Sequence, residues 1–206
     1  RSEPTLFVPF DDREAANNTS LNIQYGKGTY WSASYSNMYP FVRKETVINS
    51  DRIGIERGAE FFNANAKIHD SVYNSNVLSA SGNFTMEFWG SFTDVERCII
   101  ISCQSNVAPF KGILIEGNRF FNEDRPGMIQ VRFDDTNFLT APEFDAKGGN
   151  SSYNDGVIRH YAIVRSGTTV MLYIDGVVVN SIELALGSLI PNYGVLYFMG
   201  MGPGDT

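Results

Sequence analysis

The sequence predicts an all-β chain built as two antiparallel sheets packed face to face, and three stretches carry that prediction. The first is Gly156–Asn180, GVIRHYAIVRSGTTVMLYIDGVVVN, which reads as three strands joined by two tight turns. The second is Asn83–Phe92, NFTMEFWGSF, where Phe84, Met86, Phe88 and Phe92 alternate with Thr85, Glu87, Trp89 and Ser91. Side chains on a strand point to opposite faces with period two, so the apolar set is the core face; a slip of one residue would bury Glu87 instead. The third is Cys98–Cys103, CIIISC, apolar on both faces, as expected of an interior strand.

In the first stretch, Val157–Arg165 is rich in β-branched and aromatic residues and stops at Ser166-Gly167-Thr168. Val170, Leu172 and Ile174 then alternate with Met171 and Tyr173. Asp175-Gly176 follows between apolar runs, the residue pair that a type I′ hairpin turn favours because both central positions need positive φ. Val177–Val179 completes the meander, and Ser181–Leu184 reads as a further strand.

Taken in order from the start, Thr5–Phe10 is the first predicted strand, closed by Asp11-Asp12. Residues 13–39 turn to Asn, Ser, Gly and Tyr, and read as a long surface excursion with short β pieces at Leu21–Tyr25 and Gly28–Ser32. Such excursions are often functional. Thr46–Ile55 and Ala59–Asn63 are predicted strands. Lys67–Asn76 shows no strand pattern, and Ser71–Leu78 is assigned a helical turn. Gly112–Glu116 and Met128–Phe133 are strands, residues 134–155 form a Gly/Asn/Ser-rich insert, and Val195–Met199 is the last strand.

The 206 residues fit one domain, since β-sandwiches reach about 200–250 residues in one piece. Hydrophobic content of 43% and charged content of 19% give a globular balance. The net charge of −7, with basic residues scattered, argues against nucleic acid and bare anionic membranes as partners. No apolar run approaches the roughly 18 residues of a membrane span. The odd separation of Cys98 and Cys103 points them to opposite faces of a regular strand, so they are expected as buried thiols rather than a bridge. Opening on Arg1 rather than Met, the chain is expected to be a piece or processed product of a longer polypeptide.

The string HYAIVRSGTTVMLYIDGVVV resembles the signature hairpin of laminin-G-like domains, within the concanavalin A-like jelly-roll superfamily, and NFTMEFWGSF resembles that family's other recurrent strand. Looser similarity runs back through GIERGAEFFNANAKIHDS to TLFVPFDD. The wording VRSGTTVMLYIDG resembles laminin-G-like domains of phage and bacterial surface proteins. The resemblance implies a jelly-roll sandwich spanning residues 1–206 and an extracellular, cell-surface or virion location. Family members continue past a Gly-rich turn into one more strand that pairs near the first. This chain ends at GMGPGDT, so a closing strand is expected from a longer polypeptide or a partner.

Two functions are consistent with that resemblance: a non-catalytic binding or adhesion module recognising a glycan or surface polymer, and a structural or accessory subunit of a virion or other large assembly, self-associating or joined to other subunits. Glycan binding places rings and polar groups on the outer side of a sheet. The candidates are Trp89 with Glu87 and Thr85 on one strand, and Tyr173 with Met171 on another. Tyr30 and Trp31, with Tyr25, Tyr35 and Tyr39, offer a second set in the long excursion. Two readings of that set stay open, a stacking platform for sugars and rings that pin the loop to the sandwich. Calcium is the cofactor the resemblance implies, and it needs six to eight oxygens; Asp11-Asp12 and Asp134-Asp135 are the candidate ligands, with Asp94 and Glu96 a further pair.

Hydrolysis is not expected. Jelly-roll glycosidases carry Glu-x-Asp-x-x-Glu on one strand, and cleavage with retention needs two carboxyls about 5 Å apart. That string is absent; Glu143 and Asp145 come nearest, in a loop-like segment, and Glu87 stands alone on its face. His69 and His160 lie in no nucleophile motif, and His160 is read as a hydrogen-bonded sheet residue. Asn-x-Ser/Thr sequons occur at Asn17, Asn18, Asn83 and Asn150; Asn17, Asn18 and Asn150 fall in predicted loops and could carry glycans in a eukaryotic host.

Overall fold

A computed structural model of the chain describes residues 24–27, 41–47, 57–62, 64–69, 83–91, 98–104, 112–117, 129–133, 138–141, 156–184 and 195–198. All the secondary structure among them is β. In chain order the strands are β1 (Gln24–Lys27), β2 (Phe41–Val47), β3 (Arg57–Phe62), β4 (Ala64–His69), β5 (Phe84–Gly90), β6 (Cys98–Gln104) and β7 (Gly112–Gly117). After them come β8 (Ile129–Arg132), β9 (Phe138–Ala141), β10 (Arg159–Ser166), β11 (Thr169–Ile174), β12 (Val177–Glu183) and β13 (Val195–Phe198). They form a seven-stranded sheet ordered β1-β4-β13-β6-β7-β8-β9, a four-stranded sheet ordered β12-β11-β10-β5, and the pair β2-β3.

The meander folds as its turn chemistry dictates. Asp175 and Gly176 both take positive φ, 52° and 79°, the combination that defines a type I′ turn. Asp175 is held there from two sides: its amide donates to the His160 carbonyl at 2.8 Å, and its Oδ1 accepts from the His160 amide at 3.0 Å. Gly167 opens the other two-residue turn with φ 62°, as a type II′ turn requires. Its amide donates to Asn83 Oδ1 at 2.8 Å, so the side chain of the Asn83 sequon is engaged in clamping the β10–β11 turn beside the start of β5. At the far end of β5, Ser91 Oγ donates to the Gly156 carbonyl at 2.9 Å. Strand β5 is thereby tied to the meander at both ends as well as along its ladder with β10.

Several boundaries differ from expectation for identifiable reasons. Val177–Val179 and Ser181–Glu183 belong to one strand, β12, with Leu184 just past its end: its register against β11 shifts between Leu172 and Tyr173, and that bulge carries the ladder through. Strand β4 (ANAKIH) takes in Lys67–His69, part of the Lys67–Asn76 stretch read as having no strand pattern; Ala, Asn and Lys are weak strand formers and dilute the local signal. Strand β9 (Phe138–Ala141) lies inside the residues read as a polar insert; four residues are too few for periodicity to register. Strand β2 begins at Phe41 and ends at Val47, earlier than the predicted Thr46–Ile55, and Val157 precedes β10 rather than opening it. The predicted strand Thr5–Phe10 and helical turn Ser71–Leu78 lie outside the described residues.

The core lies between the two larger sheets. Ile101, Cys103, Ile113, Ile115, Ile129, Val131, Leu139 and Ala141 from the long sheet meet Tyr161, Ile163, Val170, Leu172 and Ile174 from the short one, with Phe84, Met86 and Phe88 packed against them. The apolar face of NFTMEFWGSF is therefore the core face, as its alternation requires. Strand β6 is interior, between β13 and β7. A register shift between Ile99 and Ile101 breaks its alternation, so that Ile100, Ile101 and Cys103 all join the core. The parity argument for the two cysteines fails at that irregularity. Cys103 is nonetheless buried, as expected, and the side chain of Cys98 is outside the described ones.

Every residue of β7 is buried, so the long sheet is covered on its second face as well, at Leu114 and Glu116. The short sheet differs: β5 alternates between half-buried and exposed residues along its whole length. Among the described residues its outer face carries the exposed side chains of β5, and this decides where a site is sought.

Candidate outer-face binding site

The register of the short sheet places particular side chains in rows on that face. Trp89 stands opposite His160; Glu87 opposite Ala162, which stands opposite Tyr173; and Thr85 opposite Val164, which stands opposite Met171. Tyr173 in turn pairs with Val178, and Met171 with Ser181, on β12. Neighbouring rows are about 7 Å apart along a strand and neighbouring strands about 4.8 Å apart. Ala162, the smallest side chain of its row, is a floor between Glu87 and Tyr173.

Trp89 is 42% exposed although it is the largest side chain on the face. Its ring leans against the His160 imidazole, with centroids 5.0 Å apart and planes tilted by 48°. His160 Nε2 lies 3.5 Å from Glu87 Oε2, with the imidazole mostly covered and the carboxylate 63% exposed. That contact is an ion pair only when the imidazole is protonated. On the neighbouring strand the Tyr173 hydroxyl donates to Met171 Sδ at 3.5 Å, a weak acceptor that turns the phenol along the sheet. The face thus offers an indole, a carboxylate, an imidazole and a phenol over a small-residue floor, the mixture of ring area and a few polar groups that small-molecule sites use.

Four of the residues singled out from the sequence, Thr85, Glu87, Trp89 and Tyr173, are brought onto this one face. Tyr30, Trp31, Asp11, Asp12, Asp134 and Asp135 lie outside the described residues, as do Asp94, Glu96, Glu143 and Asp145. Among the described residues no three His, Cys, Asp or Glu side chains converge to hold a metal ion. Sequence reasoning left His160 out of the site. Its signal was the parity of HYAIV: taking Tyr161 and Ile163 as inward puts His160, Ala162 and Val164 outward, beside whichever strand pairs with β10. The charged side chains buried among the described residues, Glu116 and Arg165, lie off this face. Arg165 shares parity with core-facing Tyr161 and Ile163, and its Nε donates to the Gly167 carbonyl at 3.1 Å.

At the opposite corner of the face, hydrogen bonds from Thr168 and Thr169 hold the Glu183 carboxyl below the usual carboxylate range; the Thr169 Oγ1–Glu183 Oε1 distance is 2.6 Å. Because the folded pKa is depressed, this contribution to stability is present above the unfolded value and is lost as pH falls through the folded one. The melting-temperature gap between the native chain and Glu183→Gln should therefore be largest near neutral pH and shrink as the solution is acidified below the ordinary carboxylate range. A gap that widens on acidification would contradict the assignment.

Two packed antiparallel sheets around one shared core define a β-sandwich. Residues 64–206 match the laminin G-like family model described as the concanavalin A-like lectin/glucanases superfamily, and the chain belongs to that family. Among solved structures the chain is similar to the binding domain of botulinum neurotoxin serotype G, with a TM-score of 0.51 and 16% identity over 88% of this chain and 39% of that one. It is similar to the binding domain of Paraclostridial Mosquitocidal Protein 1 at a TM-score of 0.51 and 14% identity, over 90% of this chain and 46% of that one. Domains LG4-5 of the mouse laminin alpha1 chain align at a TM-score of 0.44 and 12% identity, over 65% of this chain and 31% of that one. The chain spans less than half the length of each of these structures, and at such identities the likeness shows the fold alone. A comparison with curated protein sequences found no match.

Proposed function

We propose that this domain is a non-catalytic binding module that takes a glycan or surface polymer on the outer face of the four-stranded sheet, at an extracellular or surface location. The observation that carries the proposal is the 42% exposure of Trp89, set beside His160 and Glu87 on an anchored strand. An exposed indole on a rigid sheet stacks on a sugar face at little entropic cost, while Glu87, Thr85 and Tyr173 are placed to exchange hydrogen bonds with hydroxyls. Binding rather than cleavage is supported by the position of Glu87, whose partner across the ladder is Ala162 and not a second carboxylate. That the similar botulinum neurotoxin G and mosquitocidal-protein structures are themselves binding domains is in keeping with this reading.

A glycan array followed by titration of the best hit tests the proposal. Trp89→Ala is expected to weaken binding by about tenfold or more, as removal of a central aromatic anchor does, with the unfolding midpoint little changed because the ring lies outside the core. Silence across a broad array, or hits indifferent to Trp89, would refute it. Calcium at Asp11-Asp12 or Asp134-Asp135 is part of the same proposal, and the titration repeated with chelator shows whether binding depends on it.

One observation favours a second reading, a structural subunit of a virion or other assembly. Val177 and Val178, at the start of the edge strand β12, are 64% and 48% exposed. Exposed apolar residues on a sheet edge are where another chain adds on. A concentration-independent monomer by size-exclusion chromatography would count against this alternative.

A further inference from the structure

The charge pattern of the outer face points to a ligand class. We infer that the face selects sugars bearing a protonated amine, with Glu87 as the specificity-determining residue and the Trp89 ring beside it. The inference rests on the reading of this face as a binding surface and adds the chemistry of what it prefers.

The described ionisable groups of the short sheet divide by face. Arg159 and Arg165 share the parity of core-facing Tyr161 and Ile163, and Arg165 is buried. The outward positions of β5, β10, β11 and β12 carry Glu87 and Glu183 among the described residues, and no lysine or arginine. His160 is the only described group there able to become cationic, and it is largely covered by its neighbours. An anionic sugar would have to settle against the Glu87 carboxylate with no described lysine or arginine on the face to compensate, in a protein of net charge −7.

A neutral sugar would use the ring and hydroxyl hydrogen bonds alone. An amino sugar gains two further attractions from groups already side by side. Its ammonium can sit over the indole, where the ring quadrupole attracts a cation, and it can donate to a carboxylate that has accessible lone pairs. Glu87 remains available for this: it is 63% exposed, and the His160 nitrogen at 3.5 Å is beyond ordinary N–H···O length. Glu183 serves as an internal control. It is the same residue type on the same face, three strands across and two rows along, or about 20 Å away.

The test is calorimetric titration of the intact chain, at physiological salt, with three probes: a glucosamine trisaccharide, its N-acetylated counterpart, and a galacturonic acid trisaccharide. The amine is expected to bind about fivefold tighter than the neutral sugar, and the uronate more weakly than either. Glu87→Gln should bring the amine-to-neutral ratio close to one, and Glu183→Gln should leave it intact. Equal binding of amine and neutral sugars, both lost in Trp89→Ala, would overturn this inference while the binding-face reading stands. Loss of the ratio in Glu183→Gln as much as in Glu87→Gln would overturn it too, reducing the preference to overall charge. If none of the three sugars binds, this inference falls, and the binding-face reading is decided separately by the broad glycan array.

Discussion

Leu172→Ala is expected to lower the unfolding free energy by about 2–5 kcal/mol, with the denaturant midpoint falling and the slope unchanged. Leu172 is fully buried at the middle of β11 and lies in the core cluster between the sheets. Its register partners, Ile163 on β10 and Asn180 on β12, hold the strand from both sides, so the backbone cannot collapse far into the space left by the side chain. The cost is then the lost transfer energy of the deleted carbons plus that of the cavity. Urea unfolding followed by tryptophan fluorescence measures it. A loss below about 1 kcal/mol would mean the two sheets do not close over this position.

Tyr161→Ala should cost about 3–5 kcal/mol, the range for deleting a buried aromatic side chain. Its consequence for the site should also be larger than that of Leu172→Ala. Tyr161 stacks on Phe88 with ring centroids 5.1 Å apart and planes within 17°, and the two residues face each other across the β5–β10 ladder. Phe88 lies between Glu87 and Trp89 on a strand that has only β10 beside it among the described strands of its sheet. Removing the tyrosine should loosen β5 specifically. Native-state hydrogen exchange of the amides of residues 84–90 should accelerate more than in Leu172→Ala, and sugar affinity should fall in parallel. Uniform acceleration through both sheets would show that the stack has no local role in holding the site strand.

Much of this arrangement could be read before any coordinates. Alternation in FTMEFWG sorts Phe84, Met86 and Phe88 from Thr85, Glu87 and Trp89 because a strand has only two faces and Glu87 is costly to bury. Asp175-Gly176 and Gly167 announce their turns because positive φ is open to few residue types. Expectation failed where the local signal was short or composed of weak strand formers, as at ANAKIH and FLTA, or where an irregularity reset the parity, as at Ile100 and Val179. Such bulges follow from how neighbouring strands fit, which no single strand records.

The site was legible only in halves. Trp89 and Glu87 follow from their own strand, but His160 lies far along the chain and meets them only because β10 pairs with β5 in one particular register. The sequence by itself determined the class of fold, the two turns of the meander and the outward side of β5, since these depend on backbone sterics and on the period of burial along one segment. The tertiary structure alone decided that both faces of β7 are covered while the face bearing Trp89 stays open, and that an imidazole lies between an indole and a carboxylate. Coverage of a sheet and contact across a ladder depend on segments distant in the chain, so local chemistry could not specify them.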